Sequence, residues 1–177
     1  MGIDKDPACI AKTQSSLKPE GRREFRTVNI FDPAFMELAG MSFDSVIFGS
    51  SLEEMPDDTG ALTRAREILK PSGTVVVLTA AIPLLAGELD RTFHARRYWK
   101  RELKKKMTAA GLRIELLRYV NLLGAIAWWW DSRVLRRRAV PSKTYASRDR
   151  WIPLARLLDR LTGPPIGRSL LAVGRKT

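Results

Sequence analysis

FDSVIFGSSLEEMPDD, residues 43–58, and LKPSGTVVVLTAAIP, residues 69–83, decide the fold of this chain. Val46, Ile47 and Phe48 form a near-continuous apolar run, which suits a strand buried on both faces of a parallel sheet. TVVVLTA is the clearest strand in the sequence. Between the two, DDTGALTRAREILK puts Leu62, Ala65 and Leu69 on one helical face, and Pro71 and Gly73 close it. A strand, a helix and a strand in that order read as one unit of a layered α/β sheet.

The same alternation extends in both directions. Upstream, MGID reads as the end of a buried strand, and PACIAKTQSSLK as a helix with Asp6 at its N-cap and Pro7 in its first position. PEGRRE is a turn, FRTVNI a short strand, and DPAFMELAG a short helix capped by Asp32 and ended by Gly40. Downstream, residues 82–98 are irregular. KRELKKKMTAAG is then helical, with Leu103, Met107 and Ala110 inward, Lys104, Lys105 and Lys106 outward, and Gly111 at its C-terminal cap. LRIELLRYVN is a strand, LLGAIAWWWDSRVLRRR an apolar helical segment ending in a basic cluster, and WIPLARLLDRL a helix with Leu154, Leu157, Leu158 and Leu161 in phase. GPPIG turns the chain into a closing strand, SLLAVGRK, which is parted from the preceding helix by that short turn alone. The whole reads as a single α/β domain with helices on both sheet faces.

Composition narrows the chemistry. The 177 residues are 45% hydrophobic, enough for a real core. The single cysteine, Cys9, excludes a disulfide framework and a cysteine-based zinc site, and the single histidine, His94, excludes a histidine-rich metal centre. A reducing, cytoplasmic setting is the simplest reading, and no leader or membrane-spanning run is evident, Pro83 interrupting the longest apolar stretch. The net charge of +12 attracts nucleic acid, anionic lipid or phosphorylated substrates, or serves solubility. It is concentrated in the second half: Arg96–Lys106 holds seven basic residues and one acid, and Arg136, Arg137 and Arg138 form a second run. Trp128, Trp129 and Trp130 cannot share one helical face, so at least one is exposed or covered by another element. A membrane interface, a substrate lid, a dimer contact and packing under the Leu154–Leu161 helix all suit them.

Four blocks in register carry a resemblance. FDSVIFGSSLEEMPDD and LKPSGTVVVLTAAIP resemble FDxVxxxxxLEHxxD and LKPGGxxxxxxP of the class I S-adenosylmethionine-dependent methyltransferases. HARRYWKRELKKKMTAAGLRIELLRYVNLLG is similar to HxRRYxxxELxxxLxxAGFxVxxxxYxNxLG of the group acting on small molecules, lipids or glycans, and GRSLLAVGRK is similar to the family's last strand. The resemblance implies a Rossmann-like three-layer sandwich, a mostly parallel sheet in the family order 3-2-1-4-5-7-6 with an antiparallel last strand, and lid-like segments over 82–100 and 122–150. It implies S-adenosylmethionine as cofactor, held by Asp4 on the ribose hydroxyls, Asn29 on the adenine amine, Ile30 on the adenine face, and Gly49 and Ser50 at the mouth of a strand. Asp4 also suits a helix-capping role, as Asp6 and Asp32 do at their own helices. His94 stands in the lid as a general base on a hydroxyl acceptor or as a structural residue. Arg96 and Arg97 face an anionic substrate or form a solvated basic surface. Where the family often has His, this chain has Glu54.

One diagnostic element is missing. The family's first strand ends in a glycine-rich turn whose N–H groups cradle the cofactor, and no two of the twelve glycines here lie two positions apart. The reading is therefore of an N-terminally truncated fold. The second family strand pairs directly with the fourth, or another chain or segment fills the gap, or the chain is part of a longer product. Function divides accordingly: methyl transfer to a small-molecule, lipid or glycan acceptor, or a non-catalytic binding or regulatory relative that has lost the pocket. A basic module for nucleic acid or an anionic membrane surface ranks last, since no specific nucleic-acid motif is present; an oligomer fits any of these.

Overall fold

The computed structural model describes residues 1–17, 23–87, 96–135, 152, 153, 155, 157, 159 and 163–177. Its strands are β1 (Gly2–Asp4), β2 (Phe25–Thr27), β3 (Phe43–Gly49), β4 (Leu69–Ala80), β5 (Leu112–Val120) and β6 (Ser169–Lys176). Its helices are α1 (Pro7–Ser16), α2 (Pro33–Met36), α3 (Asp58–Glu67), α4 (Lys100–Ala109) and α5 (Leu122–Trp129).

The strands form two sheets. β1 and β2 pair in parallel, and a second sheet runs β3-β4-β6-β5. β3 and β4 are parallel, whereas β6 lies antiparallel between β4 and β5. The mixed sheet and the antiparallel closing strand match the expected order. β1 does not pair with β3, so the expected single sheet is divided where its central strand would lie.

Local chemistry explains most boundaries. Asp6 caps α1 by accepting from Ala8 N at 2.8 Å, with Pro7 pre-set for the first turn. Asp57 caps α3 in the same way, from Gly60 N. Asp32 precedes α2 in the cap position, but its side chain makes no cap bond, and the helix passes into a 3-10 turn over Glu37–Met41 instead of continuing to Gly40. Gly111 follows α4 with φ +77°, as a helix-terminating glycine should.

Three expectations are corrected. Pro71 and Gly73 do not end a helix. They lie in an irregular start of β4, where the register to β3 shifts between Phe43 and Ser45. A Cβ on Gly73 would stand 3.0 Å from Lys70 O and 3.2 Å from Asp44 O, so the close approach favours glycine. β3 is not buried on both faces: Phe48 is 3% exposed on the covered face, but Ile47, on the other, is 71% exposed. Lys106 does not point outward with Lys104 and Lys105; it turns onto Asp58.

The core joins α3, α4 and one face of the larger sheet. Leu62, Ala65, Leu103, Met107, Val75, Val77, Leu170 and Ala172 are all fully buried within it. Each fully buried large aliphatic stabilises the fold by about 1.5–3 kcal/mol relative to exposure. Among the described residues no helix is long and apolar enough to cross a membrane.

Candidate functional site

A cavity of about 690 Å³ separates the two sheets. Gly2, Ile3 and Asp4 of β1 form one wall and Ser45–Phe48 of β3 the other, with Phe35, Leu38 and Ile68 among the apolar lining. Its polar groups come from Asp4, Lys5, Asn29, Ser51 and Glu54, which follow or end β1, β2 and β3. In open α/β sheets ligands bind beyond the carboxyl ends of strands, where connections diverge and leave a crevice.

Asp4, Asn29 and Ile30 line this cavity together. One Asp4 oxygen accepts from Asp6 N at 2.8 Å, which fixes the carboxylate; among the described residues the other has no protein partner. Asn29 Oδ1 accepts from Phe31 N at 3.1 Å, holding the side chain in a local turn with its amide nitrogen unengaged among the described residues. Ile30 is 7% exposed and belongs as much to the core as to the lining. Gly49 and Ser50 are exposed at the end of β3, between the lining residues Phe48 and Ser51 but not in the cavity wall. Ser50 takes φ +56° and donates its N–H to Leu78 O, turning the chain away from the sheet. His94 lies outside the described residues.

Arg96 and Arg97 enter different surroundings. Arg97 is 8% exposed, donates from Nη1 to Ala81 O at 2.8 Å, and lies 5.2 Å from the Trp128 ring centre. Arg168 stacks on Trp128 as well, at 4.3 Å. Arg96 is half-exposed and stands 3.7 Å from Asp58. Of the three tryptophans Trp128 is buried, while Trp129, Trp130 and the neighbouring Ile126 are exposed.

Two buried polar groups escaped the sequence reading. Asp58 accepts from Tyr98 Oη at 2.8 Å and Lys106 Nζ at 2.9 Å. Burial alone would raise its carboxyl, but these hydrogen bonds, with the nearby Arg96 charge, hold it below the ordinary aspartate range. Burial pushes the Tyr98 phenol far above its ordinary range, and the hydrogen bond to Asp58 adds to this. Glu53, also buried, accepts from Thr79 Oγ1 at 2.7 Å while its carbonyl receives Arg96 N. The segment 96–98 is thereby pinned across α3, α4 and the end of β4, where Tyr98 bridges Ala81. Ile82 follows with φ +57°, a strained conformation for a β-branched residue, held by its N–H bond to Tyr98 O. The sequence signal for these groups was the Tyr98 and Asp58 positions within the two quoted blocks; their meeting across 40 residues was not readable locally.

Among the described residues there is no cluster of three or more histidine, cysteine, aspartate or glutamate side chains fit for a metal ion.

Residues 1–77 match the family profile described as methyltransferase domain. No curated protein sequence matches significantly. Solved structures share the fold over nearly the whole chain. A methyltransferase solved in complex with the Haloferax volcanii Trm112 methyltransferase activator is 18% identical, with a TM-score of 0.64 over 98% of this chain and 70% of its own. The [4+2]-cyclase SpnF is 19% identical, with a TM-score of 0.60 over 99% of this chain and 64% of its own. An S-adenosylmethionine-dependent methyltransferase of Archaeoglobus fulgidus is 12% identical, with a TM-score of 0.55 over 99% and 75%. This chain thus spans about two thirds to three quarters of these relatives.

Proposed function

From a chain whose residues 1–77 match the methyltransferase domain and whose fold is that of the class I S-adenosylmethionine-dependent methyltransferases, we propose methyl transfer from S-adenosylmethionine to a small-molecule, lipid or glycan acceptor. The observation that carries this is the convergence of Asp4, Asn29 and Ile30 on one cavity beyond the strand ends.

The residues present fit the nucleoside part of the cofactor. The unengaged oxygen of the fixed Asp4 carboxylate accepts from ribose hydroxyls, and charge assistance strengthens those bonds. Asn29 Oδ1 keeps a second lone pair for the adenine amine, and Ile30 supplies apolar contact. Gly49, open around its Cα, lets backbone approach a bound molecule, with Ser50 beside it. When bound, the cofactor supplies an electrophilic methyl group. The chain's own part is to orient the acceptor and exclude water: Arg97 anchors the 96–98 segment, Arg96 offers charge to an anionic acceptor, and His94 takes its proton. Exposed Ile126, Trp129 and Trp130 support an acceptor with apolar or lipid character, or contact with an anionic membrane surface.

Calorimetry with S-adenosylhomocysteine tests the reading: saturable binding by the 177-residue chain supports it, and no binding by the chain or by any longer product containing it sinks it. A second reading is a non-catalytic binding or regulatory protein. Its support is the absence of any closely spaced glycine pair, together with a [4+2]-cyclase on the same fold, which shows that the scaffold serves more than methyl transfer.

A further inference from the structure

We propose that the face formed by the start of α4 and the outer side of α5 docks on an anionic membrane surface. α5 carries no charged side chain. Its Ala125 and Trp128 are buried, while Ile126, Trp129 and Trp130 are exposed at i, i+3 and i+4 spacing. Val134 and Leu135 continue the exposed apolar surface past α5. α4 begins at the same end of the molecule. Tyr119 Oη accepts from Lys100 N at 3.4 Å, and Asn121, which follows β5, caps α5 by accepting from Gly124 N at 2.8 Å. Arg97, just before α4, reaches the Trp128 ring. Trp99, at the N-cap of α4, is exposed as well.

Positive charge flanks this face without being neutralised. Lys100, Arg101, Lys104 and Lys105 are exposed, and none has an ion pair among the described residues, whereas Lys106 of the same helix turns onto Asp58. Lys100 and Lys104 stand one turn apart, as do Arg101 and Lys105, so like charges repel along the helix until an anion comes between them. The groove of about 680 Å³ between α4 and β5 repeats the pattern, with Lys100, Arg101 and Lys104 beside Leu112, Ile114 and Leu117. Cations next to an apolar, tryptophan-bearing face match an anionic lipid surface: the rings take the headgroup level, and each lysine or arginine adds attraction. Ile126, Val134 and Leu135 offer no ring for stacking on a base, so a nucleic acid would leave them wet. A second copy would bring the same cations to the contact, each chain having a net charge of +12. The proposal deepens the lipid-acceptor reading and rests on it for its purpose alone. Vesicle binding is read without cofactor, so either can fail while the other stands.

The test is cosedimentation of the full chain with vesicles of phosphatidylcholine, alone or mixed with phosphatidylserine. Mixed vesicles bind about tenfold or more tighter, and the margin shrinks as salt rises. Brominated acyl chains quench the tryptophan fluorescence of the bound protein. Trp129→Gln with Trp130→Gln removes most of that quenching and weakens binding by about tenfold or more. Lys100→Glu with Lys104→Glu removes the preference for phosphatidylserine. All four side chains are exposed, so far-UV circular dichroism is unchanged in both variants. Four results overturn the proposal: equal binding to the two vesicles; no quenching by brominated lipid; tighter binding to polyuridylate or polyglutamate than to mixed vesicles, meaning that a nucleic acid or an acidic protein is the occupant; or a dimer that the tryptophan variant splits, meaning that a second copy covers the face.

Discussion

Asp4 and Asp58 are the same residue type in opposite roles. One Asp4 oxygen has no protein partner among the described residues, whereas Asp58 is buried with Tyr98 and Lys106 on its oxygens. Asp4→Asn should weaken S-adenosylhomocysteine by about tenfold or more in calorimetry while leaving stability within about 0.5 kcal/mol, as for surface changes. Asp58→Asn should instead cost about 1–3 kcal/mol in urea unfolding, because Lys106 and Tyr98 lose a charged acceptor. The pH dependence has a fixed sign. A carboxyl held low in the folded state favours folding fully above the ordinary aspartate value of about 3.9, and that contribution is lost as pH falls through the lower folded value. Near-UV circular dichroism from Tyr98 should therefore hold steady from neutral pH down to about 5 and decay in strong acid, and Asp58→Asn should flatten that decay. That Asp4, Asn29 and Ile30 line one cavity followed from the resemblance, which sets all three after strands of the sheet. The stacking of Arg97 and Arg168 on Trp128 was not legible, because nothing local links residues that far apart in sequence.

At the scale of elements, α4 shows what periodicity reveals and what it hides. Leu103 and Met107 recur at four-residue spacing and are fully buried, as read. Leu103→Ala should cost about 2–5 kcal/mol by chemical denaturation. Lys106 shares the helix with three exposed lysines but finds Asp58, a tertiary partner that no helical repeat encodes. The turn after α4 is firmer than its sequence shows. Gly111→Ala would place a Cβ 3.0 Å from Arg66 Nε at a φ of +77°, and should destabilise the fold by about 1 kcal/mol or more. β3 is the element whose reading failed. Its apolar run promised two covered faces, but covering depends on what packs over each face, and among the described residues nothing buries Ile47.

At the scale of the molecule, the order of elements was legible from alternation, but the missing glycine-rich turn left open whether β1 pairs with β3, and it does not. Backbone pairing then predicts unequal stability. β1 and β2 share three register pairs and no strand of the larger sheet, whereas β6 is bonded along both edges. Amides of Gly2–Asp4 and Phe25–Thr27 should exchange at lower opening free energies than those of Val75–Leu78 and Leu170–Val173, in a separate unit. A single common opening energy for both groups would refute this.

The antiparallel β6 has a consequence in time. Of the described strands it is the last made, yet it stands between β4 and β5. A ribosome adding roughly 5–20 residues per second finishes β4 seconds before β6 emerges. Through that interval the apolar strand Leu69–Ala80 has one edge waiting, and β5, with no other partner among the described strands, waits for the same late arrival. Nascent chains of this protein therefore pass through a stage in which a chaperone that shields bare strand edges would raise the yield of folded product.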